Sequence, residues 1–355
     1  MIDLDDLEIY RHYDSDGMRE HIRKLPWQLR EAWQKSSEIT LPANFANIDK
    51  IIICGMGGSA IGGELIKSFA SNLTKPIIFI HRDYALPAFV DSRTLVIASS
   101  YSGNTEETLS NFTQAMDIDC PKIAITTGGK LKDLAKAKQI PVFTIDYACQ
   151  PRAALGYSFI PLISLLARLG FIEGKSARLD EAVQTLEALL NKLAEDIPTV
   201  HNPAKQLAHK LFGKLIVIYG AGILSPVAQR WKGQFNENSK TWAFYETFSE
   251  LNHNAVVGYE FPKEMADKIY IILLRSPSLL HPRILARYRI TSEILQKAKV
   301  KHEIIDSQSK GKLAQMMSLI FLGDWTSYYL AMLNQIDPTP VKMIAYLKER
   351  LDSIK

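Results

Sequence analysis

Four hydroxyls and a glycine crowd the stretch Ser99-Ser-Tyr-Ser-Gly-Asn-Thr105: Ser99, Ser100, Ser102, Gly103 and Thr105. It follows an apolar, β-branched run, Leu95-Val-Ile-Ala98, too short for a helix and bounded by polar residues, which reads as a buried strand. Glu106 and Glu107 come next, acids suited to the first turn of a helix. A strand that delivers hydroxyls and free backbone N–H groups to a helix N-terminus makes an anion cradle. The expectation is a bound phosphate, held without a metal and without a P-loop lysine.

A second glycine loop, Gly55-Met-Gly-Gly-Ser-Ala60, follows the run Ile51-Ile-Ile-Cys54. It fits a dinucleotide fingerprint, and Asp83 lies where a ribose-binding acid could stand. An NAD-dependent enzyme is therefore one reading. Ser59 and the extra Gly62-Gly63 exceed what a pyrophosphate turn needs, and a nicotinamide site leaves the Ser100–Thr105 hydroxyls unexplained. Two glycine and serine loops at neighbouring strand ends suit one small phosphorylated ligand better. Arg152, just past a fifth apolar run, could reach the same crevice, though a lone arginine is commonly a surface or ion-pair residue. The most polar stretch is Arg230–Lys240 followed by Thr247–Asn254, in which asparagines flank Glu237 and His253 on both sides. Either these are hydrogen-bonding groups aimed at a ligand, or this is a polar inter-domain loop with a satisfied histidine. Histidines 12, 21, 81, 201, 209, 281 and 302 show no metal-ligand spacing.

These residues need a frame. Strand-like runs at Ile51–Cys54, Ile77–Ile80, Leu95–Ala98, Lys122–Thr126 and Val142–Ile145 alternate with helical periodicity. That pattern predicts a doubly wound parallel sheet buried on both faces, with ligands at the carboxyl ends of the strands. Residues 155–200 read as helical. The strand-helix pattern restarts at Lys214–Tyr219 and continues at Ile269–Leu274 and His302–Ile305, with a long helix from about Lys312 and a closing helix after Asp337-Pro-Thr-Pro340. The halves echo each other, so an internal duplication is expected. The division is a helical lead-in over 1–45, a phosphate-binding domain over 46–153, a helical linker over 154–200, and a second domain with C-terminal helices over 201–355.

The 355 residues suit about two domains. The composition, 47% hydrophobic and 23% charged, is that of an ordinary globular protein. A net charge of +4 without basic blocks gives no case for nucleic acid. Cys54, Cys120 and Cys149 are widely spaced and read as reduced thiols. An acidic N-terminus and the lack of a bilayer-length apolar run make the cytoplasm the expected compartment, with no membrane partner.

Taken in order, Gly55–Gly63, Ser99–Thr108, Pro151-Arg-Ala-Ala-Leu-Gly-Tyr157, Asn236-Glu-Asn238, Glu250-Leu-Asn-His-Asn254 and Asp337-Pro-Thr-Pro340 resemble the bifunctional phosphoglucose/phosphomannose isomerase family, double-domain members of the sugar isomerase (SIS) group. The resemblance spans essentially the whole chain. It implies two SIS domains, each a flavodoxin-like α/β/α sandwich. It implies a phosphate loop of Ser100, Ser102 and Thr105, with Gly57, Gly58 and Ser59 lining the sugar side. It implies Glu237 as catalytic base, Arg152 beside the reacting carbons, and His253 as the ring-opening residue, shared across a homodimer. A further ring-opening lysine would be Lys342 or Lys348. The substrate implied is a hexose 6-phosphate, glucose or mannose, converted to fructose 6-phosphate through a cis-enediolate without a cofactor or metal. A non-catalytic sugar-phosphate-binding regulator is the alternative, since SIS domains also serve as sensors.

Overall fold

The computed structural model describes residues 2–42, 45 and 47–354. The domain boundary expected at 45/46 therefore falls beside residues 43, 44 and 46, which lie outside those described. Three helices open the chain: α1 (Glu8–Tyr13), α2 (Met18–Arg23) and α3 (Leu25–Ser37). Pro26 sits in the first turn of α3, where a missing N–H breaks no helical bond.

The first α/β unit comprises β1 (Lys50–Cys54), α4 (Gly57–Ala70), β2 (Ile77–His81), β3 (Thr94–Ser99), α5 (Glu106–Gln114), β4 (Lys122–Thr126), α6 (Gly129–Ala137) and β5 (Val142–Thr144). Its strands are all parallel in the order β2-β1-β3-β4-β5, the flavodoxin-like winding. β3 is buried at every position, as its unbroken apolar run requires.

Next come α7 (Leu155–Arg168), α8 (Ser176–Leu193) and α9 (Pro203–Leu211). The second unit contains β6 (Leu215–Ala221), α10 (Ser225–Glu237), β7 (Ala243–Phe248), β8 (Ile269–Arg275), α11 (Pro282–Lys297) and β9 (Lys301–Asp306), closed by α12 (Lys312–Leu333) and α13 (Lys342–Asp352). Its parallel order, β7-β6-β8-β9, repeats the winding of the first sheet without a fifth strand. Two features correct the sequence expectation. Arg230–Glu237 is helix rather than loop, because Arg230, Trp231, Gln234 and Phe235 turn inward. β7 is a strand within what reads as a polar stretch: at the sheet edge Phe244, Tyr245 and Glu246 are exposed, so no apolar alternation marks it.

One core serves both units. A single apolar cluster runs from Ile51 and Ile97 through α7 and α12 to Ile216 and Ile272. α12 is buried around nearly its whole circumference, as a helix without a polar face must be. α10 is fastened to it by Trp231 Nε1 donating to the Leu319 carbonyl (2.8 Å), Arg230 Nη2 to Asp324 Oδ2 (2.7 Å) and Gln234 Nε2 to Asp324 Oδ1 (2.9 Å). Burial raises the Asp324 pKa and Arg230 opposes it. α13, by contrast, is exposed at every position described. No helix among the described residues is long and apolar enough to cross a membrane.

Arg230 and Asp324 side chains are only 4% and 6% exposed. Asp324→Ala leaves a buried guanidinium uncompensated and is expected to destabilise the fold by about 3–5 kcal/mol. Urea unfolding measures this, and a loss under about 1 kcal/mol would show that the pair does not hold α10 to α12.

Candidate active site

The anion cradle forms where β3 stops. Gly103 turns the chain with φ +70°. Ser100 Oγ lies 2.8 Å from Thr105 Oγ1 and accepts the Gly103 N–H (3.1 Å), and Ser102 Oγ accepts the Asn104 N–H (3.2 Å). Two hydroxyls sharing one hydrogen leave the other to donate outward. Thr105 precedes α5 in extended conformation, and its side chain does not cap the helix, so the first N–H groups of α5 face the loop. Ser100 is buried, Thr105 partly buried and Ser102 exposed. Residues 126–131 brace the cradle: Thr127 N–H donates to the Tyr101 carbonyl (3.0 Å), Leu131 N–H to the Gly103 carbonyl (2.9 Å) and Lys130 N–H to Asn104 Oδ1 (3.1 Å).

The first turn of α4 forms the adjoining wall. Gly57, Gly58 and Ser59 begin the helix with no side-chain cap, and Ser59 Oγ accepts the Tyr101 N–H (3.1 Å), which joins the two loops. A Cβ on Gly58 would stand 3.0 Å from the Pro151 carbonyl carbon and 3.1 Å from Arg152 N. This glycine is thus explained by the approach of α4 to the Pro151–Ala153 turn. Asp83, the acid required by the dinucleotide reading, accepts the Tyr84 N–H (2.7 Å) at the surface. Tyr101 Oη accepts the Cys149 N–H (2.9 Å), tying the cradle to the segment that leads to Arg152.

Arg152 is 3% exposed. Its Nε donates to Asn238 Oδ1 (2.6 Å), and its Nη2 to the Pro338 and Thr339 carbonyls (2.6 and 2.9 Å). Asn238 Nδ2 donates to Ser327 Oγ (3.0 Å), which orients the amide oxygen toward Arg152. Nη1 makes no hydrogen bond and stands 3.5 Å from Glu237 Oε2. Burial lowers the Arg152 pKa and Glu237 opposes the shift. A buried cation with one uncommitted nitrogen, beside a carboxylate, can stabilise an oxyanion while the carboxylate moves a proton.

Of the other expected residues, only Glu237 lies beside Arg152. Glu237 ends α10, just before β7 begins, whereas His253 closes a turn beyond the far end of β7. Six residues of strand put roughly 20 Å between those ends. His253 is exposed, and among the described residues no hydrogen bond or ion pair engages its imidazole. Lys342 and Lys348 are both exposed on α13. Nor does Glu237 occupy the strand-end crevice of its own sheet. That crevice is a cavity of about 730 Å³ lined by Gly222, Ser225, Thr247, His281 and Lys312, none of which the sequence assigned to a site. The structure brings the carboxyl edge of the first sheet against the end of α10, at the amino edge of the second.

Sequence reasoning marked Asn238 only as a hydrogen-bonding asparagine beside Glu237, and gave no role to Lys240 or the Asp337–Thr339 carbonyls. Asp337-Pro-Thr-Pro340 carried the one available signal: Pro338 and Pro340 lack N–H groups, and Thr339 N–H is held by Asp337 Oδ1 (2.8 Å).

Residues 200–351 match a family described as bacterial phospho-glucose isomerase C-terminal SIS domain. The chain is 46% identical over 339 residues to a bifunctional phosphoglucose/phosphomannose isomerase of Caldicellulosiruptor bescii, covering 95% of this chain and 100% of that protein. It is 35% identical to one from Aquifex aeolicus, covering 85% and 90%. A glucose-6-phosphate isomerase like protein from Thermus thermophilus shares the fold at TM-score 0.66 and 19% identity, over 97% of this chain and 100% of that one.

A Cβ at residue 103 would overlap the Gly128 backbone carbonyl in a left-handed conformation, so the loop must shift. Gly103→Ala is expected to displace the cradle and weaken inorganic phosphate binding by about tenfold or more, read by calorimetry. Unchanged affinity would place the anion elsewhere.

Proposed function

The chain belongs to the bifunctional phosphoglucose/phosphomannose isomerase family, and from that membership we propose how its own residues carry out aldose–ketose isomerisation of hexose 6-phosphates. In this reading the 6-phosphate rests on Ser100, Ser102 and Thr105 and on the N-termini of α5 and α4, held by neutral donors and helix dipoles. The sugar runs past Gly57, Gly58 and Ser59 toward Arg152. His253 protonates the ring oxygen and opens the ring. Glu237 takes the proton from C2 and returns it to C1, while Arg152 Nη1 stabilises the charge that develops on the oxygens of the cis-enediolate.

The observation that carries the reading is the uncommitted Nη1 donor, buried and 3.5 Å from Glu237 Oε2. Three other donors of the guanidinium are spent on fixed acceptors, so the group is preorganised. Glucose 6-phosphate and mannose 6-phosphate lose their stereochemical difference once C2 is deprotonated. One base therefore serves both if the open chain can rotate about C2–C3.

A second subunit completes the reading. The distance along β7 keeps His253 from Glu237 of its own chain. Trp242 and Phe244 on the open edge of β7, and Met343 and Leu347 on α13, are apolar side chains left exposed. A homodimer covers such groups and supplies His253 to the neighbouring site. The cytoplasm remains the proposed compartment.

Glu237→Gln preserves size and removes the base. It is expected to lower isomerisation by about 10²–10⁴-fold in a coupled assay while inorganic phosphate binds as before. Near-normal turnover would overturn the assignment of the base.

A further inference from the structure

We propose that Lys240 is a positioning residue for the isomerisation: its ammonium staples the end of α10 that carries Glu237 to the 337–339 loop that holds Arg152. The proposal rests on the reading of Glu237 and Arg152 given above and adds a residue which that reading does not use.

Lys240 Nζ donates to the carbonyls of Glu237 (2.7 Å) and Asn238 (3.3 Å), at the close of α10, and to those of Asp337 (3.1 Å) and Pro338 (2.9 Å). The first two belong to the set a helix leaves unpaired at its C-terminus, where a cation is also favoured by the dipole. A lysine that only capped the helix would stop there. The other two acceptors lie nearly a hundred residues away, on the loop that grips Arg152. The Pro338 carbonyl receives both cations, Lys240 Nζ and Arg152 Nη2.

The chain leaves α10 in a left-handed conformation at this residue. Lys240 has φ +51°, a left-handed conformation that costs a residue with a Cβ about 1–2 kcal/mol. Such strain persists where surrounding contacts impose it. Lys240 lies at the surface, yet its ammonium is committed to four backbone oxygens. The charged groups facing it are Arg152, Asp337 and Glu237. Desolvation and then Arg152 bring its pKa down to about 8, while Asp337 and Glu237 act the other way.

Apart from Lys240 and Arg152, nothing among the described residues donates to the loop's Pro338 and Thr339 carbonyls. Two prolines deprive it of donors, its internal bond is Thr339 N–H to Asp337 Oδ1, and Ser15 Oγ holds the Asp337 carboxylate (3.0 Å) but not its carbonyl. Releasing Lys240 frees the Pro338 carbonyl to move, and Nη2 of Arg152 moves with it. The phosphate end of the site is built on different elements and is unaffected.

The test compares Lys240→Met and Lys240→Arg in steady-state kinetics on glucose 6-phosphate, with near-ultraviolet circular dichroism to confirm folding. Lys240→Met should lower kcat about 10–100-fold, the scale of a misplaced catalytic group, with KM within about threefold. Lys240→Arg, which keeps a cation and several donors, should recover most of the loss. A kcat for Lys240→Met within about twofold of wild type, equal losses in both variants, or a rise in KM alone would overturn the proposal. Lys240→Gln replaces the Met variant if the latter does not fold, with the same outcomes. The Glu237→Gln variant separates the two levels. If it turns over normally, the assignment of the base fails. If it is inactive while Lys240→Met is normal, only the role of Lys240 fails.

Discussion

A buried guanidinium must spend its donors, and the placement of Arg152 follows from that requirement. Three of its bonds go to groups from two distant segments, the amide of Asn238 after α10 and the carbonyls of Pro338 and Thr339 after α12. Arg152 itself stands on a turn beyond the first sheet. One side chain thus sets the first α/β unit against two parts of the second. The rest of the site follows from holding those parts still. Arg230 and Gln234 fix α10 to Asp324, Arg230 Nη2 also takes the Arg152 carbonyl (3.1 Å), and Gly58 lets α4 rest on the Pro151–Ala153 turn.

The duplicated winding is used unequally. In the first unit the strand ends and uncapped helix N-termini border the hydroxyl loop, which is where helix dipoles favour an anion. In the second unit the working group comes from the other end of a helix. Glu237 at the close of α10 is a carboxylate near a terminus that favours cations, and the two cations gathered there, Arg152 and Lys240, suit that field. Bound as proposed, the inert end of a sugar phosphate and its reacting end would meet opposite electrostatic environments built from one repeated motif.

Much of this was legible from sequence where a local physical rule operates. The five strand runs of the first sheet are apolar on both faces, so periodicity found them. The hydroxyl cluster at Ser99–Thr105 needs only a strand, a glycine and a helix start to be read as an anion cradle. β7 escaped because an edge strand with exposed Phe244 and Tyr245 lacks the buried alternation that marks interior strands. The carboxyl-edge rule pointed to the crevice beside Arg152 but describes a single sheet, so it did not show that Glu237 comes to that edge from the amino edge of the second sheet. Asn238 stood out as an asparagine beside Glu237 but without its partner Arg152, and Lys240 and the Pro338 carbonyl were invisible because their role depends on contacts between segments nearly a hundred residues apart, and because a left-handed lysine leaves no mark in composition.

In the proposed mechanism Glu237 and Arg152 of one chain work with His253 of another. Mixing inactive Glu237→Gln and His253→Ala proteins under conditions that exchange subunits tests this directly. Random pairing places one intact site in half of the dimers, so activity on glucose 6-phosphate should return to about a quarter of the wild-type level. Verified mixed dimers that stay inactive would contradict a shared site and require Glu237 and His253 to meet within one chain, across the length of β7.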